Sequence, residues 1–526
     1  MLIPVFEHTI SSLHSIINNE NEPLQKVSRL LRYDPGLFFS LIQNVSQATN
    51  KNDITSISQA VSLIGADGVE NLILQQDYFL EEEYTLLWCY SVLLGETATI
   101  INERFEVAEE EEAFFSAIIP VLGMLLMLVK IPGYKKIVDF LLKLRIEDRL
   151  FVEWKLFKTN HIELLGEKLP SPKIYRDILD YMGLVLSSDG QRKQHMDYSA
   201  KFSVAYQSFQ LFHLLETAEV AAQSLLYPSL AERHGTFKEL CKKHFRVPEH
   251  ESEEVLSEIV SRFEAVCNDF KVQELSGRYI SAAEVFRTPE ITFSTNSAPL
   301  QAALENIYEA NRAEQNILIY GEACVGKPLL AAALHYRQDN PRRTKPFLVC
   351  QCGVIDTELL EAELFGARGG FRGLEKHKGT LELANGGTIL LKDVDKLPMT
   401  LQDRLAEIFG RDEFYKIGET RPKGFSIRFI VTSRKNIIEE ARLGNFSEDL
   451  IKVLGPATIY LPPLRERRED IEFIAGRIIE KYNLNITDPV LLMGLREYYE
   501  TDRFENNLKD LKRSLFYLSA KRVLES

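Results

Sequence analysis

At 526 residues the chain is too long for one ordinary core, and at roughly 100–200 residues per domain it predicts three or so compact units. Its 45% hydrophobic and 26% charged content is that of a globular protein and excludes a disordered or fibrous one. A net charge of −14 excludes a global attraction to nucleic-acid phosphates and leaves only a local basic patch for that role.

From the start of the chain, MLIPVFEHTI lacks the basic segment of a secretory signal. The six cysteines, Cys89, Cys241, Cys267, Cys324, Cys350 and Cys352, are scattered without the paired CxxC elements of a zinc site. Reduced thiols and a cytoplasmic protein are expected. Residues 1–275 read as helix after helix. Val27, Leu30 and Leu31, then Leu37, Phe38, Leu41 and Ile42, recur at spacings of three and four. Asp34-Pro35 predicts a helix start, with the acid as N-cap and the proline in the first turn. The apolar run 114–129 contains Ser116, Pro120 and Gly123 and ends at Lys130. It is shorter than the ~20 residues of a membrane helix and predicts a buried core helix. The acidic run 109–112 before it complements a helix N-terminal dipole.

Residues 276–296 are polar, with Pro289 inside and Pro299 just beyond, and read as a linker. Strand-like runs at 316–320, 346–350, 388–391 and 426–432 then alternate with helical patterns, the signature of a parallel α/β sheet. From about 471 the pattern is helical again. The fold class expected is multidomain: an all-α N-terminal domain, an α/β P-loop core over 297–470 and a small helical lid over 471–526.

The strand ILIY runs into Gly321, Glu322, Ala323, Cys324, Val325, Gly326 and Lys327, with a helix after them. This is GxxxxGK in its proper setting. The glycines let the backbone wrap a phosphate, the N–H groups and helix terminus supply positive potential, and Lys327 reaches the β- and γ-phosphates. ATP or ADP is the expected ligand. The next residue is Pro328, where the general motif has the Ser or Thr that holds Mg²⁺. Proline suits a first helical turn but offers no side-chain oxygen. Mg²⁺ is therefore left open, and no protein metal site is expected.

Glu363-Leu364-Phe365-Gly366, Gly386-Gly387-Thr388 and the segment LPPLRERREDI at 461–471 follow in order. Together with the P-loop they resemble the AAA+ domain of bacterial enhancer-binding proteins, the activators of sigma-54 RNA polymerase. The resemblance spans about 297–520. The departures from the family pattern carry as much information. The acidic pair that serves Mg²⁺ and the attacking water is here Lys392-Asp393. Asp393 is one methylene shorter than the family's glutamate and is a weak candidate for a catalytic base. Ser447 and Val453 stand where the resemblance places two arginine fingers, with Lys452 beside one of them. Such fingers are worth roughly 10³–10⁵ in rate. The nucleotide-sensing lid arginine corresponds to Lys509, which keeps the charge and loses the bidentate fork. The sigma-contacting loop corresponds to Gly369-Gly370-Phe371-Arg372-Gly373-Leu374, with Arg372 in place of its threonine. Family members commonly continue into a helix-turn-helix. Here Ser526 lies just past the lid, so no direct DNA binding is expected, and the basic residues Lys509, Lys512, Arg513, Lys521 and Arg522 read as a solvated helix face.

The first half resembles an HDOD domain, an all-helical signalling relative of HD phosphohydrolases. The resemblance rests on LQKVSRLLRYDPGLFFSLIQNV, the run from Ile54 to Gly65, Leu87-Trp88-Cys89-Tyr90-Ser91 and Asn160-His161-Ile162-Glu163-Leu164-Leu165-Gly166. HD enzymes hold a metal through an adjacent His and Asp with further histidines. Pro120 and Val121 occupy that pair's positions, Tyr90 replaces another histidine, and His161 remains as a packing residue. Metal phosphohydrolase activity is rejected on these grounds, and partner binding is implied.

The expected function is that of a cytoplasmic signalling and transcription-regulatory protein. Its AAA+ domain binds nucleotide, hydrolyses it poorly and acts through protein contacts, another AAA+ activator or sigma-54 RNA polymerase being candidate partners. An oligomer is left open. The alternatives are an active ATPase that remodels sigma-54 RNA polymerase without its own DNA-binding domain, and an AAA+ part that serves only as scaffold.

Overall fold

The computed structural model describes residues 5–17, 24–49, 57–74, 78–79, 82–105, 107–166, 202–230, 232–245, 247, 249–280, 291–352, 357–368, 377–454, 456–486 and 506–526. The chain divides into two compact units. Met1–Thr288 with Ser519–Ser526 form the first, and Pro289–Leu518 the second.

Among its described residues the first unit is helical apart from one parallel pairing of two-residue strands, β1 (Val5–Phe6) with β2 (Tyr78–Phe79). Its core is built on the long helices Glu82–Phe105, Glu110–Lys130, Phe202–Leu226 and Glu249–Asp269. Asp34 caps the helix Pro35–Thr49: its Oδ1 accepts from the Leu37 N–H at 3.0 Å. Its Oδ2 accepts from the Phe6 N–H at 3.0 Å, so the same carboxylate also fixes β1.

The helix Glu110–Lys130 has 21 residues, longer than its apolar run because it takes in the acidic residues before it. By length and composition two helices could cross a membrane, over Glu83–Phe105 and Glu110–Lys130, but 94% and 83% of their apolar windows lie inside the unit. The acidic residues do more than face the helix dipole. Glu110 pairs with Arg32 at 2.7 Å, and Glu111 accepts the Ile57 N–H at 2.7 Å, tying two further helices to this one.

The second unit is a five-stranded parallel sheet. Its strands are β3 (Ile317–Tyr320), β4 (Phe347–Gln351), β7 (Thr388–Lys392), β10 (Arg428–Ser433) and β11 (Ala457–Tyr460), in the order β11-β3-β10-β7-β4. Two antiparallel ribbons, β5 (Gly366–Ala367) with β6 (His377–Lys378) and β8 (Glu413–Phe414) with β9 (Lys423–Gly424), stand outside it.

Alternation along the strands gives each face of the sheet its own core. Ile317, Ile319 and Ile430 pack with Leu300, Leu304, Leu330 and Leu334, from the helices Ala298–Arg312 and Lys327–Tyr336. Leu318, Ile389 and Val431 pack on the other side with Leu364, Leu401, Leu405 and Leu450. Strand boundaries fall within about two residues of the sequence reading. The sequence reading has no strand at β11, an edge strand whose Ala457–Tyr460 run gives little alternation to read, nor at the four short ribbon strands.

The stretch read as a linker is structured at both ends. Glu274–Tyr279 is helical. Thr295 and Ser297 are buried, the Thr295 hydroxyl donating to Asp470 at 2.7 Å.

Candidate functional site

The C-terminal ends of β3, β7 and β10 meet at one edge of the sheet, and every loop that leaves them carries polar groups. In parallel α/β sheets this edge is where ligands bind.

The loop after β3 turns because its glycines permit it. Gly321 and Gly326 have φ of +150° and +106°, and a Cβ on Gly321 would lie 2.3 Å from the Leu461 carbonyl oxygen. Cys324 is also left-handed, with φ +58° and an exposed thiol. Successive N–H groups in such a turn form a concavity that suits an anion. The helix Lys327–Tyr336 begins where the loop ends, with Pro328 in its first turn, where no backbone hydrogen bond is lost. The Lys327 ammonium is buried and donates to the carbonyls of Gly321 at 2.6 Å and Glu322 at 2.7 Å. Burial pushes its pKa below the usual lysine value, and the Asp393 carboxylate opposes that shift. The turn, the lysine and the helix terminus fit the phosphates of a nucleotide.

Strand β7 ends at Lys392, half-buried, and Asp393 follows in the left-handed region at φ +58°. Asp393 Oδ2 accepts from Gln351 Nε2 at 3.1 Å, and its N–H donates to Thr432 Oγ1 at 3.2 Å. Ser447 is buried. Its hydroxyl donates to Asp403 at 2.8 Å and its N–H to Gln402 Oε1 at 2.8 Å, so it sits at the N-terminus of the helix Glu448–Leu454 as a structural group. Val453 is partly exposed on that helix, and Lys452 pairs with its own neighbour Asp449 at 2.9 Å.

Several residues of this site carried no role in the sequence reading. Arg465 holds the Glu322 carboxylate, with one contact of 2.8 Å, and this bond keeps Glu322 below the usual carboxylate range. Arg467, fully buried, donates to the Val325 carbonyl at 2.5 Å and pairs with Asp470. Asn507 donates to Glu322 at 3.2 Å and to the Ala323 carbonyl at 3.0 Å, and the Leu508 N–H reaches the Cys324 carbonyl at 3.0 Å. The start of the helix Asn507–Glu525 is thus bonded to the loop, two residues before the half-buried Lys509. Arg465 and Arg467 were legible only as members of the LPPLRERREDI run. Gln351 lay one residue past a strand read as wholly apolar. The stretch from Gly369 to Leu374 lies outside the described residues.

In the first unit Pro120 and Val121 are buried inside the helix Glu110–Lys130. Tyr90 donates to Glu219 at 3.1 Å, and Arg149, without exposure, donates to Glu219 at 2.7 Å. Arg149 also donates to the carbonyls of Leu141 and Leu144 and lies 3.8 Å from Met124 Sδ. His161 is buried with Nδ1 2.7 Å from Glu153, whose other oxygen accepts from Tyr134 at 2.6 Å. These polar groups bond to one another in the interior, with His161 Nε2 left without a hydrogen-bond partner.

The parallel sheet and the loop at its edge define the second unit as a P-loop domain. Residues 293–460 match the family model described as the Sigma-54 interaction domain and residues 3–169 that of the HDOD domain, so this chain carries both. Among curated relatives, the alginate biosynthesis transcriptional regulatory protein AlgB of Pseudomonas putida is 33% identical over 254 residues, covering 47% of this chain and 56% of its own. The regulatory protein AtoC of Escherichia coli is 36% identical over 192 residues, covering 36% and 41%. This chain spans about half, or less, of the length of these relatives. A crystal structure of NtrX from Brucella abortus in complex with ADP aligns over 50% of this chain and 58% of its own, at 24% identity and a TM-score of 0.38.

Proposed function

We propose that the chain is a cytoplasmic regulator whose sigma-54-activator-type domain binds ATP or ADP, turns it over poorly, and acts through protein contacts. The observation that carries this reading is one contrast within one site. The phosphate loop keeps its glycines and Lys327, whereas Ser447, at the position of an arginine finger, is a buried group bonded to Asp403 and Gln402. A hydroxyl fixed in this way cannot neutralise charge on a neighbouring subunit's phosphates. Lys392 at the end of β7 adds a cation where Mg²⁺ would need an acidic partner. Nucleotide then serves as a conformational or assembly ligand, and a mixed ring with a competent activator is one route to an output.

Calorimetric titration with ATP and ADP, with and without Mg²⁺, is the test. Saturable binding that Lys327→Ala abolishes is expected, with turnover roughly 10³-fold or more below a competent activator assayed beside it. Absence of binding leaves the domain as scaffold, and turnover equal to the activator's overturns the proposal. The second reading, an active ATPase that remodels sigma-54 RNA polymerase, is favoured by Asp393, whose carboxylate Gln351 holds at the sheet edge. Open-complex formation with sigma-54 RNA polymerase separates the two.

A further inference from the structure

Among the described residues, three metal-ligand side chains converge at one place: His213, Glu216 and His244. His213 and Glu216 lie one turn apart on the helix Phe202–Leu226, and His244 comes from the helix Glu232–Phe245 packed beside it. All three are half-buried, and one donor atom from each lies within 4.8 Å of the others. The place is beyond residues 3–169, the extent of the HDOD match, and involves none of Tyr90, Pro120, Val121 and His161.

We propose that His213, Glu216 and His244 bind one divalent transition-metal ion of the zinc class, with water completing its shell. The donor set is two imidazoles and a carboxylate, which suits zinc and its neighbours and does not suit Ca²⁺ or Mg²⁺. The spacing is right for it. Ligands at about 2.0–2.1 Å from a tetrahedral ion stand roughly 3.3 Å from each other. His213 Nδ1 and Glu216 Oε2 are 3.3 Å apart, already one edge of that tetrahedron.

The other Glu216 oxygen, Oε1, accepts from Arg145 at 3.3 Å. Outer-shell bonds of this kind orient a ligating carboxylate. The His213 and His244 rings are stacked, 3.5 Å between centroids and 15° between planes. Binding therefore requires the two rings to turn about χ2 so that their lone pairs converge on the ion instead of running parallel. The ion would clip the helix Glu232–Phe245 to Phe202–Leu226 and give this part of the chain a ligand-dependent rigidity.

The experiment uses the full chain, freed of metal by chelator and titrated with Zn²⁺ by calorimetry and with Co²⁺ by visible absorption. One saturable site is expected, with a Co²⁺ spectrum of low coordination number and a higher melting temperature for the loaded protein. His213→Gln, Glu216→Gln and His244→Gln should each weaken binding beyond the about 10- to 100-fold typical of losing an outer-shell partner. His8→Gln, on another helix, should leave affinity unchanged. Glu216→Gln preserves shape and the acceptor for Arg145, so its loss of affinity is not a folding effect. Absence of saturable binding, or binding that survives all three substitutions, overturns the proposal and leaves a stacked histidine pair that packs two helices.

Discussion

In the first unit, the positions that the resemblance to HD enzymes assigns to metal hold Pro120 and Val121, and one turn beyond them Arg149 reaches Met124 while holding Glu219. In the second unit, the positions that the resemblance to sigma-54 activators assigns to catalysis hold Lys392 at a strand end and Ser447 and Val453 at and along a short helix, with Lys452 beside one of them. The first set lies in the interior, where a replaced polar group must find its partners inside the fold. The second lies at a strand end and on a short surface helix, where only Ser447 is buried and bonded to neighbours. Chemistry replaced in a core becomes part of stability, and chemistry replaced at a sheet edge leaves the scaffold, including the glycines of the phosphate loop, free to persist. The comparison can be tested, because it predicts large stability effects in one unit and small ones in the other.

The largest effect should come from Arg149. Its guanidinium has no exposure and binds Glu219, itself nearly enclosed. Burial works against its charge, yet the Glu219, Tyr90 and Glu153 charges outweigh this and raise its pKa. Arg149→Met leaves the Glu219 carboxylate with the Tyr90 hydroxyl but without its cationic partner and should cost about 3–5 kcal/mol. The chain's two tryptophans, Trp88 and Trp154, both lie in the first unit, so urea unfolding followed by fluorescence reports on that unit. Arg149→Met with Glu219→Met should recover most of the loss, since an apolar pair of similar volume replaces a buried ion pair at little cost. A single-variant loss below about 1 kcal/mol would remove the contrast between the units.

A second test uses pH. Burial pushes Asp34 up from 3.8 to about 6, against the hydrogen bonds from Leu37 and Phe6. A carboxyl whose folded pKa is raised contributes stability below its unfolded pKa and loses it as pH rises through the folded one. From pH 4 to pH 7 this group should withdraw about 2.4 kcal/mol from the first unit. Glu322 in the second unit has the opposite sign. Arg465 lowers its pKa, so its contribution is lost only as pH falls below the ordinary carboxylate range. Unfolding of wild type and Asp34→Asn at pH 4, 5, 6 and 7 isolates the slope. The difference between the two proteins should change by that amount across the series, and a constant difference would refute it.

Much of the second unit was legible because its signals are local. Gly321 to Lys327 needs only a strand before it and a helix after it, and both were readable from apolar period. Arg465, Asn507 and Gln351 were not legible as site residues, because their roles depend on chain segments far apart: Arg465 and Asn507 reach Glu322 from more than a hundred residues away. The edge strand Ala457–Tyr460 was missed for a similar reason, since pairing with β3 makes it a strand and its own alternation is weak. In the first unit the periodicity announced helices and the Asp34 cap. It could not announce that Arg149, Glu219 and Tyr90 come together, since isolated charged residues on helices read as solvated faces until a fold folds them inward.

The smallest effect should come from Ser447, and it bears on function as well as on the comparison. Its hydroxyl donates to Asp403 at 2.8 Å and lies 3.5 Å from the Leu450 N–H, a long cap at the start of Glu448–Leu454. Ser447→Ala should cost about 1 kcal/mol. Because the loss is local, amide hydrogen exchange over 448–454 is the measurement that resolves it, with faster exchange expected there and unchanged exchange in the β3 and β7 cores. The affinity for ATP and any residual turnover should stay at the wild-type level, because a hydroxyl bonded to Asp403 is engaged in the fold and not with nucleotide. If Ser447→Ala instead leaves exchange unchanged and alters turnover, the residue acts in chemistry. The second unit would then have kept a working site under a changed side chain.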